Sequence, residues 1–197
     1  VDHCDLQACK AHGVVVTNTP DVLSDATAEI AMLLMLGAAR RASEGDRMMR
    51  AGTWDFWSPA FMVGTQTTAK RFGIIGMGRV GQVAAKRARG FDMEVHYFNR
   101  SRLPAELEQD AIYHASLEEL LANSDVLSLH CPASPESTNL INAERIALLP
   151  DGAIVINTAR GALIDEQALI DALKSGKLAA AGLDVFKHEP GGNPAFA

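Results

Sequence analysis

Cysteine is scarce in this chain of 197 residues, and the three present, Cys4, Cys9 and Cys131, are odd in number and form no Cys-x-x-Cys pair. That argues against a disulfide framework and against a cysteine-based zinc site. A reducing compartment suits such usage, so a cytoplasmic location is expected. Long apolar runs are missing as well. The most apolar stretch, Ile30 to Ala39, is far short of the roughly 20 residues a membrane-spanning helix needs, and no membrane partner is expected. Positive charge is not in excess: 18 Lys and Arg stand against 24 Asp and Glu, for a net charge of −6. Nucleic-acid partners select clustered cations that neutralise phosphates, so none is expected here. No initiator Met and no leader pattern opens the chain, and Val1-Asp2-His3 reads as the middle of an element, so a piece of a longer protein is expected.

What is present describes a globular α/β protein. Hydrophobic residues make up 48% and charged residues 21%, enough to bury a core the size of one large domain. Asp5 to His12 reads as a short helix stopped by Gly13, and Val14 to Thr17 as a β-branched run ended by Asn18 and Pro20. Together they look like the end of an earlier α/β unit, a remnant domain over residues 1–20. Ser24 or Asp25 is expected to cap a long helix through Arg41, whose Ile30, Leu33, Leu34 and Leu36 spread around its surface. Such a helix is buried on more than one side, by the core or by a second subunit. Trp54 to Lys70 reads as a linking arm.

From Arg71 strands and helices alternate: strands Phe72–Ile75, Glu94–Phe98, Val126–His130, Ala153–Asn157 and Ala180–Val185, with helices Val80–Arg89, Leu117–Ala122 and Glu166–Lys174 among them. Short apolar strands separated by helices imply a doubly wound parallel sheet covered on both faces. Residues 21–197 are therefore expected to form a Rossmann-type domain.

Gly76-Met77-Gly78-Arg79-Val80-Gly81 follows the first of these strands and opens a helix, the context in which G-x-G-x-x-G binds a dinucleotide. Gly76 permits a tight turn, Gly78 lets a pyrophosphate approach bare backbone, and Gly81 lets helix and strand pack closely. The diphosphate then rests on the helix N-terminus, an interaction worth roughly 0.3–1 kcal/mol, and up to about 2 when partly buried. At the end of the second strand, where a carboxylate would bind the ribose of NAD, the text is Asn99-Arg100-Ser101-Arg102. Two guanidiniums there can pair with a 2′-phosphate. A carboxylate about 4 Å away would instead cost on the order of 4 kcal/mol per charge pair at an effective dielectric near 20. NADP(H) is the expected cofactor, with NAD(H) as the alternative.

Asn157-Thr158-Ala159-Arg160-Gly161 follows a strand, which puts Arg160 at a carboxyl end, where open α/β sheets bind ligands. Asp184 ends another strand twenty-four residues on, with Glu189-Pro190 close behind. Taken with Asp2-His3-Cys4-Asp5-Leu6, Thr17-Asn18-Thr19-Pro20, His130-Cys131-Pro132, Asp165-Glu166 and Gly182-Leu183-Asp184-Val185-Phe186, this text resembles the D-isomer-specific 2-hydroxyacid dehydrogenases over nearly the whole chain. Within that family the Asn-Arg-Ser-Arg segment and Trp54 to Pro59 look most like glyoxylate/hydroxypyruvate reductases.

The resemblance implies an oxidoreductase that passes a hydride between the nicotinamide and a small 2-oxo or 2-hydroxy acid. It makes Arg160 the clamp on the substrate carboxylate, a role suited to a permanently charged guanidinium with two parallel donors. It assigns Asp184 to the nicotinamide carboxamide, Thr158 and Ala159 to its pocket, the backbone of Arg79 and Val80 to the diphosphate, and Cys131-Pro132 to the adenosine side. Glu189 matches the carboxylate that pairs with a catalytic histidine, the general acid for the alkoxide left by hydride addition. The family places that histidine downstream, in a Pro-His context beyond Ala197. None of His3, His12, His96, His114, His130 and His188 occupies its position, so this chain is expected to hold cofactor but to lack the proton donor. The apolar helix Ile30–Leu36 and the arm Trp54–Met62 resemble the family's dimer elements, implying a homodimer. A non-catalytic, cofactor-sensing binding module of the corepressor type is the competing reading.

Overall fold

Apolar runs too short to be helices, each followed by a helical pattern, become parallel strands because a helix is long enough to carry the chain back to the starting edge of the sheet. The computed structural model describes residues 4–196. Within them α1 (Leu6–Ala11), α2 (Ser24–Ala39) and α3 (Ala42–Ala51) precede the sheet. Then come β1 (Arg71–Ile75), α4 (Arg79–Arg89), β2 (Glu94–Phe98), α5 (Ala105–Glu108), β3 (Ile112–Tyr113), α6 (Leu117–Ala122), β4 (Val126–Leu129), α7 (Ala143–Leu148), β5 (Ala153–Asn157), α8 (Glu166–Ser175) and β6 (Leu178–Leu183). The strand order is β3-β2-β1-β4-β5-β6, and all pairs are parallel.

Alternation along each strand builds two cores. Phe72, Ile74, Ile154 and Ile156 face α2 and α4, where Ala28, Ala31, Met35, Ala84 and Ala88 are buried. Ile75, Leu127, Leu129 and Val155 face the opposite way, onto Leu120, Leu121, Ile146 and Leu169 of α6, α7 and α8. Each fully buried Leu, Ile or Phe contributes roughly 1.5–3 kcal/mol. Small residues on α2 and α4 let these helices lie close to the sheet; a Cβ at Gly182 of β6 would come within 2.8 Å of Leu34 Cβ. Local signals fix the helix ends. Asp165 accepts from Gln167 N and Ala168 N at 3.1 and 3.3 Å to start α8, and Gly176, at φ 78°, ends it.

Several expectations change. Val14 to Thr17 forms no strand. Val14 and Val15 are exposed, and β-branched residues become strand only where a neighbour supplies the other half of the ladder. The cap expected from Ser24 or Asp25 is not made; Leu23 is the capping residue, with no side-chain bond, and α2 stops at Ala39. Within the single chain α2 is buried through Ala28, Ala31, Met32 and Met35, while Leu33 is 64% exposed. Helix α3 was not anticipated, because its text, Ala42-Ser-Glu-Gly-Asp-Arg-Met-Met-Arg-Ala51, is polar on most sides and buries no residue. The elements α5, β3 and α7 also escaped sequence reading, being two to six residues long. Asp2 and His3 lie outside the described residues.

Three histidines tie the fold to pH. His96 of β2 is 4% exposed, with Nδ1 2.9 Å from His114 Nε2 and Nε2 2.8 Å from Glu94 Oε1. Burial lowers the pKa of both His96 and His114, and pushes His130 down to about 4. The Glu94 carboxylate opposes the shift at His96 but is the smaller effect. A histidine whose folded pKa lies below its unfolded value of about 6.5 is held neutral by the fold, so the unfolded chain binds more protons as the medium acidifies. Stability is full above about pH 6.5 and declines as pH falls below it. The melting temperature is expected to drop between pH 7 and 5, and His114→Gln to flatten that drop. A melting temperature constant across the window would contradict this.

Candidate dinucleotide and substrate site

Strands β1 and β4 are neighbours, yet the chain leaves them toward opposite edges of the sheet, which opens a crevice at their carboxyl ends. The parallel ladder runs one residue past the strands there. Gly76 N donates to Phe98 O of β2 at 3.1 Å and His130 N to Ile75 O at 2.8 Å, which ties the end of β1 to β2 on one side and to the backbone after β4 on the other. Gly76 has φ 94°, and a Cβ on it would sit 2.7 Å from Cys131 N. A Cβ on Gly81 would sit 2.3 Å from Gly76 O. Gly78 differs: a Cβ there would meet nothing within 4 Å, and its φ of −80° is open to any residue. Nothing in the protein itself demands glycine at 78.

The start of α4, at Arg79 and Val80, has no side-chain cap. Arg79 Nε pairs with Asp21 Oδ1 at 2.6 Å, and the first N–H groups of a helix have no partner within the helix itself. Asn99 Oδ1 accepts from Met77 N at 2.7 Å and braces the glycine loop against the end of β2. His130 Nδ1 and Thr158 Oγ1, at the ends of β4 and β5, are buried polar atoms with no partner among the described residues. Open ground over Gly78, an uncapped helix start and two orphaned polar atoms along one edge together fit a dinucleotide. Cys131 borders the same edge, its thiol pKa raised by burial, with Pro132 exposed beside it.

On the rim after β2, Arg100 and Ser101 are exposed. Arg102 is already engaged within the chain. Its Nε and Nη2 pair with Glu108 Oε2 and Oε1 at 2.8 and 2.6 Å, and its guanidinium carbon lies 5.6 Å from the centre of the Tyr113 ring. Tyr97 Oη donates to the same Glu108 Oε2 at 2.6 Å and accepts from Leu103 N at 3.1 Å. Arg102, then Tyr97, hold the Glu108 carboxyl down at about 2, and burial followed by Glu108 pushes the Tyr97 phenol up to about 12. Neither Glu108 nor the bracing role of Asn99 was anticipated, because the first sits in a four-residue helix that carries no motif.

The second cluster stands at the ends of β5 and β6. Asn157, 1% exposed, accepts from Ala159 N at 3.0 Å and donates to Arg160 O at 2.9 Å, so one buried amide shapes the Thr158-Ala159-Arg160 turn. The Arg160 guanidinium donates to Ala159 O at 2.7 Å. Gly161 follows because the chain returning from β6 passes directly over it; a Cβ there would lie 2.0 Å from the carbonyl carbon of Phe186. That contact brings the 184–189 segment beside Arg160. Asp184 is anchored by its N–H to Asn157 O at 3.0 Å. Glu189 Oε1 accepts from Phe186 N at 2.7 Å, and the Glu189–Pro190 peptide is cis. Buried Glu166 holds the far side of this loop, accepting from Lys187 N at 2.9 Å and Asn193 Nδ2 at 3.0 Å. The roles of Asn157 and Glu166 escaped sequence reading, since hydrogen-bond direction is not written in spacing.

Among the described residues no helix is long and apolar enough to cross a membrane. The chain is 48% identical over 197 residues to a glycerate dehydrogenase of Hyphomicrobium methylovorum, covering 99% of this chain and 61% of that protein. A solved chain from Polaromonas sp. JS6 66 superposes with a TM-score of 0.96 at 51% identity, covering 100% of this chain and 61% of that one. The crystal structure of a glyoxylate reductase from Paecilomyes thermophila matches with a TM-score of 0.89 at 43% identity, covering 98% and 58%. The chain thus spans about three fifths of the length of the relatives it matches. Residues 32–195 match the family described as D-isomer specific 2-hydroxyacid dehydrogenase, NAD binding domain, and it is to this family that the chain belongs.

Proposed function

We propose that the whole protein is a reductase of small 2-oxo acids, glyoxylate or hydroxypyruvate being the leading substrates, and that residues 21–197 hold its nicotinamide cofactor. The observation that carries this reading is a glycine loop with open ground over Gly78 on the same sheet edge as Arg160. Similarity to a glycerate dehydrogenase and a glyoxylate reductase supports the substrate class. Residues 1–20 are read as the end of a separate substrate domain; α1 buries none of its residues.

Bound nicotinamide supplies the hydride, and the chain's own residues do the rest. Gly76, Gly78, Gly81 and the first N–H groups of α4, at Arg79 and Val80, seat the diphosphate. Cys131 and Pro132 border the adenosine, Thr158 and Ala159 line the nicotinamide side, and Asp184 orients the carboxamide. Arg160 grips the substrate carboxylate with two parallel hydrogen bonds and polarises the neighbouring carbonyl, fixing the acceptor carbon in position. Hydride addition leaves an alkoxide that must gain a proton. Glu189 is the positioning carboxylate for the histidine that supplies it; among the described residues its recorded partner is Phe186 N, and no histidine bonds it. The 197-residue chain assayed alone is therefore proposed to bind dinucleotide without sustained turnover.

Cofactor choice rests on the rim after β2. Asn99 braces the loop, Arg100 and Ser101 are placed for a 2′-phosphate, and Arg102 adds charge beside them, so NADP(H) is preferred over NAD(H). The exposed apolar residues Leu33, Met49, Trp54, Phe56, Trp57 and Val63, on α2, α3 and the arm that follows, support a homodimer. A whole protein that sediments as a monomer would remove that reading. A cytoplasmic location is proposed from the cysteine usage.

The test is steady-state reduction of glyoxylate and hydroxypyruvate by the whole protein, followed by NADPH and NADH absorbance. Turnover with a lower KM for NADPH is expected. A strong preference for NADH would remove the NADP(H) reading, and dinucleotide binding without reduction of any 2-oxo acid would favour a non-catalytic binding module.

A further inference from the structure

We propose that Glu108 is a specificity-determining residue that restrains the preference for a 2′-phosphorylated dinucleotide by occupying Arg102. The inference rests on the cofactor reading above. The rim after β2 carries two cations, and the second is already engaged through two donors on one edge, Nε and Nη2, by a carboxylate whose side chain is only 9% exposed. Arg102 itself is 64% exposed and lies over Tyr113, so it remains at the rim while its charge is compensated from beneath. Glu108 also accepts a hydrogen bond from Tyr97, which is fully buried in β2, and its two contacts to Arg102 do not depend on that bond.

A 2′-phosphate placed at this rim meets Arg102 and, one side chain further back, the negative charge of Glu108. Attraction and repulsion partly cancel, because both act over similar distances in the same medium. The 2′-hydroxyl of NAD is neutral and feels no such restraint. The predicted result is a protein that favours NADP(H) modestly and still accepts NAD(H), with Glu108 as the residue that sets the margin.

The test compares Glu108→Gln with Tyr97→Phe in the whole protein, measuring dissociation constants for NADPH and NADH by titration and melting temperature in parallel. Gln keeps one acceptor for Arg102 and a partner for Tyr97 but removes the charge; Phe removes a hydrogen bond and leaves both charges in place. Glu108→Gln should tighten NADPH on the order of tenfold and leave NADH within about twofold. Tyr97→Phe should lower the melting temperature without moving the ratio of the two constants. The inference is overturned if Glu108→Gln leaves that ratio unchanged, weakens NADPH, or weakens both dinucleotides together as a purely structural residue would. If the unsubstituted protein binds neither dinucleotide, the cofactor reading fails and this inference with it. If both bind and only the ratio refuses to move, this inference fails alone.

Discussion

Arg160→Lys in the whole protein should lower kcat/KM for its 2-oxo acid by roughly 10²- to 10³-fold while leaving the dissociation constant of the dinucleotide within about twofold. Lysine keeps the charge, so the loss measures geometry. A guanidinium offers two parallel donors to a carboxylate and a planar edge toward the carbonyl, whereas an ammonium offers one point of attachment that rotates. The turn presenting Arg160 is braced, with Asn157 bonded to Ala159 N and Arg160 O and Gly161 packed under Phe186, so a carboxylate gripped by its guanidinium would be held in one position. A misplacement of about 1 Å is enough to cost on the order of a hundredfold. The effect should fall on kcat as well as KM if, as proposed, the same contact polarises the carbonyl. A variant that kept its kcat/KM within a few-fold would show that the carboxylate is held elsewhere.

The glycine loop allows fold and ligand to be separated by single methyl groups. Gly78→Ala places its Cβ in open ground, so the chain should fold with a loss of at most about 1 kcal/mol through the poorer helix cap, while dinucleotide affinity falls at least tenfold on the order expected when backbone can no longer approach a diphosphate. Gly76→Ala should behave in the opposite way. Its φ of 94° and the 2.7 Å approach to Cys131 N make the substitution strained whatever else moves, a loss of about 3 kcal/mol or a fall in melting temperature on the order of 10 °C. Gly81→Ala, 2.3 Å from Gly76 O, should be destabilising in the same way. Dinucleotide titration and thermal melts on the three variants check the pattern. Native-like binding by Gly78→Ala would mean that the diphosphate does not lie over the loop.

The glycine loop, the alternation of strands and the Asn157–Gly161 turn were legible in the sequence because each is a local device: a residue type is needed at one place for a reason that lies within a few residues. Asn99 shows where that legibility ends. Its position at the end of β2 marked it for the cofactor, and its side chain also reaches to Met77 N in the loop after the neighbouring β1, twenty-two residues earlier. Arg102 is the sharper case. Spacing placed a second cation beside the ribose; the folded chain gives it Glu108 as a partner, because α5 brings that carboxylate up under the rim and Tyr97 holds it there. The Val14–Thr17 run failed for the related reason that a strand is a property of two chains side by side.

Taken alone, then, the sequence determined the elements whose cause is short-ranged: the period of the core-facing residues, and glycine wherever backbone must turn or approach backbone. It also marked Arg160, Asp184 and Glu189 by their place just beyond strands. Tertiary structure decided everything that depends on which elements become neighbours. The order β3-β2-β1-β4-β5-β6 makes a crevice between β1 and β4, the crossing at Gly161 lays Phe186, whose N–H Glu189 accepts, over the residue after Arg160, and the fold brings Glu108 of α5 to both Arg102 and Tyr97 of β2. Charge compensation acts through space, so its partners are set by the fold and cannot be counted along the chain.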